Sequence, residues 1–242
     1  MAKPALDSSS AEAIRVMMGA SMETIDPIVV ALDAGEITAR VRFDPERAGF
    51  ERLDGLIGLA QSLIHARAVF EVAYTGAKGE GTVEVAGVTF RSPLLRQNLA
   101  AANKVFPYII TVGPELERAA GTQGDLLKQF YLEEMANIAL GQAAAWLADR
   151  IEARFGLGPL SNMSPGSLED WPIAEQTKLF SIFGDTERLI GVRLTDSLLM
   201  IPRKSISGIL FPSEEGFVAC QLCERERCPG RKAPFSGHEE AR

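Results

Sequence analysis

The sequence predicts an α+β fold in which one long helix lies between two groups of short strands. No proline interrupts residues 125–155, and apolar side chains such as Leu127 and Met135 recur near one stripe at helical spacing. Asp125 can cap the start of this helix, and Gly156 can take the left-handed conformation that ends one. Strand patterns precede and follow the helix without regular strand–helix alternation, which favours α+β over a doubly wound fold.

Sequence periodicity assigns the elements before the long helix. Alternating apolar and polar residues are typical of a half-buried strand, whereas recurrence every three to four residues is typical of a helix. On this basis we expect a strand over residues 37–43, a helix over 51–66, strands over 68–74 and 81–85, a helix over 92–103 and a buried strand over 105–112. The glycines between residues 75 and 81 indicate a hairpin turn, because the Gly-Lys-Ser/Thr ending of a phosphate loop is missing.

Prolines and glycines divide the chain after the long helix into short segments. A helix is expected from about Trp171 to Gly184, followed by strands over residues 189–194, 198–201, 206–211 and 217–220. Trp171 is expected in the core, because tryptophan buries a large apolar area. We therefore divide the chain into a flexible N-terminus (1–10), an α+β domain (11–212) and a cysteine-rich tail (213–242).

Composition and charge narrow the classes of function. The chain has 242 residues, of which 46% are hydrophobic, and a mean hydropathy of +0.05, which is typical of a globular protein. Its net charge of −7, without a basic stripe, argues against a nucleic-acid partner. The sequence shows neither the layout of a secretory signal nor an apolar stretch of about 20 residues. We therefore expect a cytoplasmic protein that does not associate with a membrane.

The three cysteines, Cys220, Cys223 and Cys228, lie within nine residues of each other. In a reducing compartment, clustered thiols are typical of metal or catalytic sites. A Cys-x2-Cys pair can give two thiolates to one tetrahedral centre, as zinc and iron–sulfur sites both require. With His238 as a fourth ligand the site would be a structural zinc knuckle, and without it a four-iron cluster with an open iron also fits. The thiols alone leave both metals open.

A second group of residues combines prolines, glycines and serines at predicted strand ends. It comprises Ser164, Pro165 and Gly166 in one segment and Pro202, Ser205, Ser207 and Gly208 in another. The Pro-Gly pair predicts a type II turn that exposes backbone amides. Serines, glycine and exposed amides suit a small polar ligand, although ordinary strand-end loops have the same composition.

Three segments together resemble the activation domain of cobalamin-dependent methionine synthase: residues 164–166, 171–183 and 194–208. They resemble more closely the stand-alone members of that family, which accompany corrinoid methyltransferases. The resemblance implies an α+β fold with a curved antiparallel sheet. In methionine synthase this domain binds S-adenosylmethionine and closes over the corrinoid domain, so that oxidised cob(II)alamin is reduced and remethylated.

Two positions of this chain depart from the family's pattern. The family places an arginine three residues before the Pro-Gly pair and an aromatic hydroxyl directly after it, and both contact S-adenosylmethionine. Asn162 and Ser167 stand at those positions here. Asparagine lacks the charged, two-pronged donor of arginine, and serine has no ring to stack on a purine. The substitutions argue against S-adenosylmethionine as a ligand.

The resemblance predicts an accessory protein that reactivates or handles the corrinoid of a cobalamin-dependent methyltransferase, the corrinoid being carried by the partner. The cysteine site could supply electrons through an iron–sulfur cluster. We expect the partner to dock on the loops after Gly166 and Pro202. There Arg203 and Lys204 would meet corrin propionamides or the nucleotide phosphate, unless they are ordinary solvated charges. The alternatives are a non-catalytic corrinoid-protein scaffold with structural zinc, and an S-adenosylmethionine-binding methyltransferase subunit.

Overall fold

The computed structural model describes residues 21–41, 50–213, 216–225, 228 and 231–236. The expected flexible N-terminus (1–10) and His238 lie outside the described residues. The described strands are β1 (Ser21–Ile28), β2 (Ala66–Gly79), β3 (Thr82–Val85), β4 (Val88–Arg91), β5 (Lys104–Thr111), β6 (Leu160–Met163), β7 (Arg193–Leu194), β8 (Met200–Ile201) and β9 (Ser205–Pro212). The described helices are α1 (Ala34–Val41), α2 (Phe50–Leu63), α3 (Pro93–Asn98), α4 (Glu115–Gly121), α5 (Leu126–Phe155), α6 (Gln176–Phe183) and α7 (Thr186–Ile190).

Seven strands form one antiparallel sheet in the order β4-β3-β2-β5-β9-β6, and β1 also pairs with β2. The first part of β2 pairs with β5, whereas its end pairs with β3 after a shift of register between Thr75 and Lys78. Such an irregularity is typical of a bent strand, and it lies where the pairing of β2 passes from β5 to β3. The predicted α+β fold with a curved antiparallel sheet is confirmed.

Helix α5 confirms the predicted long central helix. The Asp125 carboxylate accepts a hydrogen bond from the Leu127 amide at 2.9 Å, and Gly156 ends the helix with a φ of 62°. Its 30 residues span on the order of 45 Å. Among the described residues, no helix combines the length and apolar character needed to cross a bilayer.

The sheet separates two apolar cores. On one face, α1, α2, α4 and α5 pack against side chains such as Phe70 and Phe106. On the other face, α3, α6, α7 and the segment after β9 enclose Trp171. Trp171 is fully buried and meets Phe90 edge to face at 5.8 Å, which confirms its predicted place in the core.

Several element predictions were wrong for local reasons. Residues 37–41 lie in α1, because Ile37 and Val41 also fit a helical repeat and Asp33 accepts a hydrogen bond from the Glu36 amide at 2.8 Å. The strand predicted over 189–194 is shorter than expected: Leu189 and Ile190 end helix α7, which Asp185 caps, and only Arg193–Leu194 form a strand, β7. The strand predicted over 217–220 contains a single bridge residue followed by a 3-10 turn. The helix predicted over 92–103 ends at Asn98.

Candidate functional site

The Pro-Gly pair forms the predicted turn at the end of β6. The Ser167 amide donates to the Ser164 carbonyl at 3.2 Å, and Gly166, with a φ of +79°, has the positive value that a type II turn requires. A Cβ on Gly166 would lie 2.8 Å from Ile173 Cδ1. The Gly166 amide also donates to the Trp171 carbonyl at 2.7 Å. Both amides therefore donate hydrogen bonds to carbonyls of the protein itself. The expectation that they are exposed to a ligand was wrong.

Asn162 and Ser164 belong to a polar cluster centred on Tyr108, which sequence reasoning missed. The Tyr108 hydroxyl donates to Asn162 Oδ1 at 2.9 Å, and Asn162 Nδ2 donates to Ser164 Oγ at 3.4 Å. Gly208 makes room for the cluster, because a Cβ there would lie 2.7 Å from Ser164 Oγ and 2.8 Å from Asn162 Oδ1. The Asn162 side chain, where the resemblance leads us to expect an arginine, thus interacts with the neighbouring strands of the sheet.

Tyr108 remains a hydrogen-bond donor over the whole physiological range. Burial raises the pKa of Tyr108 from 10 to about 12, and the smaller effect of its hydrogen bonds with Ser164 and Asn162 lowers it only in part. The hydroxyl is therefore protonated at neutral pH and keeps Asn162 Oδ1 occupied.

Arg203 and Lys204 are already paired within the protein. The Arg203 guanidinium and backbone amide both reach the Glu117 carboxylate, and hydrogen bonding to Glu117 raises the pKa of Arg203. Lys204 Nζ lies 2.9 Å from Asn137 Oδ1 and 3.7 Å from the Glu133 carboxylate. These contacts bind the loop before β9 to α4 and α5; Lys204 is largely covered, whereas the Arg203 side chain is still 56% exposed.

A cleft of about 530 Å³ opens on the Trp171 side of the sheet. Three short stretches line it: Pro93, Leu94 and Gln97 of α3, residues 167–170 after the Pro-Gly turn, and residues 222–224. The cleft brings together Ser167 and Cys223, one from each region that the sequence singled out. Pro202, Ser205, Ser207 and Gly208 are not among its lining residues; the Ser205 hydroxyl donates to the Pro202 carbonyl instead.

Asp170 connects two walls of the cleft through hydrogen bonds. Its carboxylate accepts hydrogen bonds from the Ser92 hydroxyl and, at 2.9 Å, from the Leu94 amide. The Ser92 oxygen in turn accepts from the Leu95 amide at 2.9 Å and so caps α3. The loop after the Pro-Gly turn is thereby held against the first turn of α3.

The lining of the cleft is acidic. Glu169, Asp170 and Glu224 contribute carboxylates, and among the lining residues that the structure describes none is an arginine or a lysine. A phosphate-bearing ligand would be repelled by this arrangement. The charge favours a neutral or cationic ligand.

The third wall is the cysteine segment, which packs against the rest of the fold. Val218 bridges the backbone of Asn162, and Phe217 and Leu222 are buried in the Trp171 core. The Arg231 guanidinium donates to the carbonyls of Cys220, Cys223, Arg225 and Ala233. One arginine thus holds the backbone of the segment together.

The thiols of Cys220, Cys223 and Cys228 are free and partly exposed. Cys220 Sγ accepts a hydrogen bond from the Lys232 amide at 3.4 Å. Within the part of the chain that the structure describes, no group of three or more His, Cys, Asp and Glu residues is placed to hold a metal ion. The predicted metal site, with His238 outside that part, stays a prediction.

Comparison with known proteins finds structures with a similar fold. No protein-family model and no curated protein matches this chain. The fold is that of an α+β domain with a curved antiparallel sheet and a long helix, and solved structures of this class are known. A particular similar structure is the crystal structure of the MetH reactivation domain bound to AdoHcy (S-adenosylhomocysteine). The two are 14% identical with a TM-score of 0.58, and the match covers 84% of this chain and 82% of that one. At this identity the likeness shows the fold, and it agrees with the fold that the sequence predicted.

Proposed function

We propose that this chain is an accessory protein that reactivates or handles the corrinoid of a cobalamin-dependent methyltransferase. The observation that carries the proposal is the similarity in fold to the MetH reactivation domain over 84% of the chain. The corrinoid belongs to the partner, so the cobalt chemistry is the cofactor's, and this chain supplies docking and access. Because folds host many functions, the proposal needs a direct test of partner binding.

The docking surface can be tested on exposed side chains. Leu199 is 61% exposed in the β7–β8 hairpin, just before the Pro202 loop on which we expect the partner to dock. Leu199→Asp should weaken capture of a corrinoid-loaded carrier at least tenfold in an anaerobic pull-down read by cobalt absorption. Leu126→Asp, at an 82% exposed position at the start of α5, is the matched control and should bind like the wild type. Wild-type protein that captures no corrinoid carrier would contradict the proposal.

The cleft offers a site for a small molecule as part of this function. Its volume of about 530 Å³ lies in the usual range for ligand pockets. The similar structure contains S-adenosylhomocysteine, which makes an S-adenosyl compound the first ligand to test. Asn162, however, is engaged by Tyr108, and Ser167 offers no aromatic ring. We therefore expect S-adenosylmethionine to bind weakly at most.

The cysteine segment is the second site of the proposal. Cys220, Cys223 and Cys228 would bind zinc or an iron–sulfur cluster, with His238 as an additional ligand in the zinc case. A cluster would supply single electrons, and the hydrogen bond from the Lys232 amide to Cys220 Sγ is of the kind that tunes metal-bound sulfur. Iron and zinc analysis with electron paramagnetic resonance, after anaerobic reconstitution, separates the two. A colourless zinc protein would remove the electron-transfer role.

A non-catalytic scaffold is the second candidate function. The packing of Phe217 and Leu222 into the Trp171 core favours it, because it gives the cysteine segment a structural role. A scaffold would bind the corrinoid carrier without changing the rate at which its cobalt is reduced. That rate, measured with and without this chain, separates the two candidates.

A further inference from the structure

Cys220 and Cys223 lie at the two ends of one tight turn. The Cys223 amide donates to the Cys220 carbonyl at 3.4 Å, and residues Ala219–Gln221 form a 3-10 helix. The ends of a four-residue turn lie within about 7 Å of each other between Cα atoms. A disulfide spans Cα atoms about 4.4–6.8 Å apart. The backbone therefore brings the two residues to within the reach of a disulfide bond.

We propose that Cys220 and Cys223 are a reversible dithiol–disulfide pair. Both thiols are free and partly exposed, so a small disulfide such as oxidised glutathione can reach them. This inference is independent of the proposed function, because it concerns only the chemistry of the two thiols in the chain without a bound metal. A metal ion held by the same thiolates would protect them, so the oxidised and the metal-bound states exclude each other.

Arg231 holds the backbone around the two cysteines together in the free-thiol state. Its guanidinium donates to the Cys220 carbonyl at 2.8 Å and to the Cys223 carbonyl at 2.9 Å. These contacts involve the backbone and leave both sulfur atoms available. Leu222, between the cysteines, is buried and fixes the segment to the core. Once one cysteine forms a mixed disulfide, the other cysteine can therefore attack it at a high effective concentration.

Oxidation would change the cleft. Cys223 lines the cleft, whereas Cys220 is not among the lining residues. Closing the disulfide joins Cys223 Sγ to Cys220 Sγ and removes a thiol group from the wall beside Glu224. The redox state of the pair thus alters the surface that a ligand in the cleft would meet.

The reaction is ordinary thiol–disulfide exchange. One protein thiolate attacks oxidised glutathione, forms a mixed disulfide and releases one glutathione thiolate. The second protein thiolate then attacks the mixed disulfide and releases the second glutathione. Two cysteine thiols are oxidised, one glutathione disulfide is reduced to two thiols, and the two protons from the cysteines pass to the glutathione thiolates.

The test uses the full chain, reduced, treated with a chelator and equilibrated anaerobically in glutathione redox buffers. Thiol counting and peptide mass mapping should show that two of the three thiols disappear and that the new bond joins Cys220 to Cys223. Cys228→Ser should form the same bond, whereas Cys220→Ser and Cys223→Ser should yield only glutathione adducts. A wild-type chain that keeps three thiols, forms only adducts or bonds to Cys228 would overturn the proposal.

A pair of arginine variants tests the positioning role of Arg231. Arg231→Met should lower the equilibrium constant for disulfide formation at least tenfold, because the two carbonyls lose their shared donor. Arg225→Met is the matched control, since Arg225 contributes only its carbonyl to this contact. Urea unfolding of both variants shows that the core is intact. Equal constants for Arg231→Met and the wild type would overturn the positioning role.

Discussion

The Tyr108 hydroxyl donates a hydrogen bond to Asn162 Oδ1 at 2.9 Å, although β9 lies between the strands that carry the two residues. The bond crosses the sheet above Gly208, where a Cβ would collide with the cluster. It occupies the Asn162 side chain, which stands where the sequence resemblance leads us to expect an arginine in the methionine synthase family. The hydrogen bond between Tyr108 and Asn162 therefore contributes to the stability of the sheet and leaves Asn162 Oδ1 occupied.

Removing the Tyr108 hydroxyl should destabilise the protein. Tyr108→Phe leaves Asn162 Oδ1 without its donor in a half-buried position, which should cost about 1 kcal/mol in the free energy of unfolding. Urea unfolding measures this. Tyr74→Phe, at a 38% exposed position, should change the free energy little. Equal effects of the two substitutions would contradict the structural role of the cluster.

The same tyrosine should make stability depend on pH at the alkaline end. Because burial raises the pKa of Tyr108 from 10 to about 12, the folded chain holds this proton more tightly than the unfolded chain. Its contribution to stability is complete below pH 10 and is lost as the pH rises through 12. Unfolding midpoints in this range should fall less steeply for Tyr108→Phe than for the wild type. Identical slopes would contradict the raised pKa.

Gly208 should not tolerate even a methyl group. In Gly208→Ala the new Cβ would lie 2.5 Å from the Met163 carbonyl oxygen, so β6 must move. We expect a loss of about 1–3 kcal/mol in the free energy of unfolding. Gly141→Ala in α5 has open space and should stabilise the helix. Wild-type stability in Gly208→Ala would show that β6 is not held as described.

Local signals explain which elements the sequence could predict. Helix α5 was predictable because Asp125 and Gly156 mark its ends by themselves. Strand β6 was not, since it reads Leu-Ser-Asn-Met and is held by pairing with β9, far along the chain. Residues 37–41 fit both periods, and the observed helix is capped by Asp33 and tied to α5 by the Arg40–Glu134 ion pair.

The wall of the cleft should depend on Asp170. Asp170→Ala removes the acceptor for the Ser92 hydroxyl and the Leu94 amide, and we expect a loss of about 1–2 kcal/mol in the free energy of unfolding. Glu169→Ala, at the exposed neighbouring position, is the control and should be nearly neutral. If both variants unfold at the same urea concentration as the wild type, Asp170 does not hold the wall.

An aromatic ring at position 167 should improve binding of S-adenosylhomocysteine. Ser167 lines the cleft, and the sequence resemblance leads us to expect an aromatic hydroxyl at this position in the methionine synthase family. Ser167→Tyr supplies such a group, and we expect at least a tenfold gain in affinity by calorimetry. Ser181→Tyr, at an exposed position on α6, is the control and should show no gain. Tight binding by the wild type, unchanged in Ser167→Tyr, would contradict the account of the substitution.

Only some of the residues that form the candidate site could be predicted from the sequence. The type II turn followed from Pro165 and Gly166, because their backbone preferences are local. The meeting of Ser167 and Cys223 in one cleft depends on how the segment after β9 packs against Trp171, and no local pattern carries that information. The roles of Tyr108 and Arg231 were missed for the same reason.

The most direct test of the proposed function follows the cobalt of a corrinoid carrier. A cob(II)alamin-loaded carrier is mixed with a low-potential reductant under anaerobic conditions, and its absorption spectrum is recorded with and without this chain. We expect the chain to change the spectrum of the bound cobalt and to increase the rate at which it leaves the cob(II) state. Identical spectra and rates at saturating concentrations of this chain would contradict a role in corrinoid reactivation.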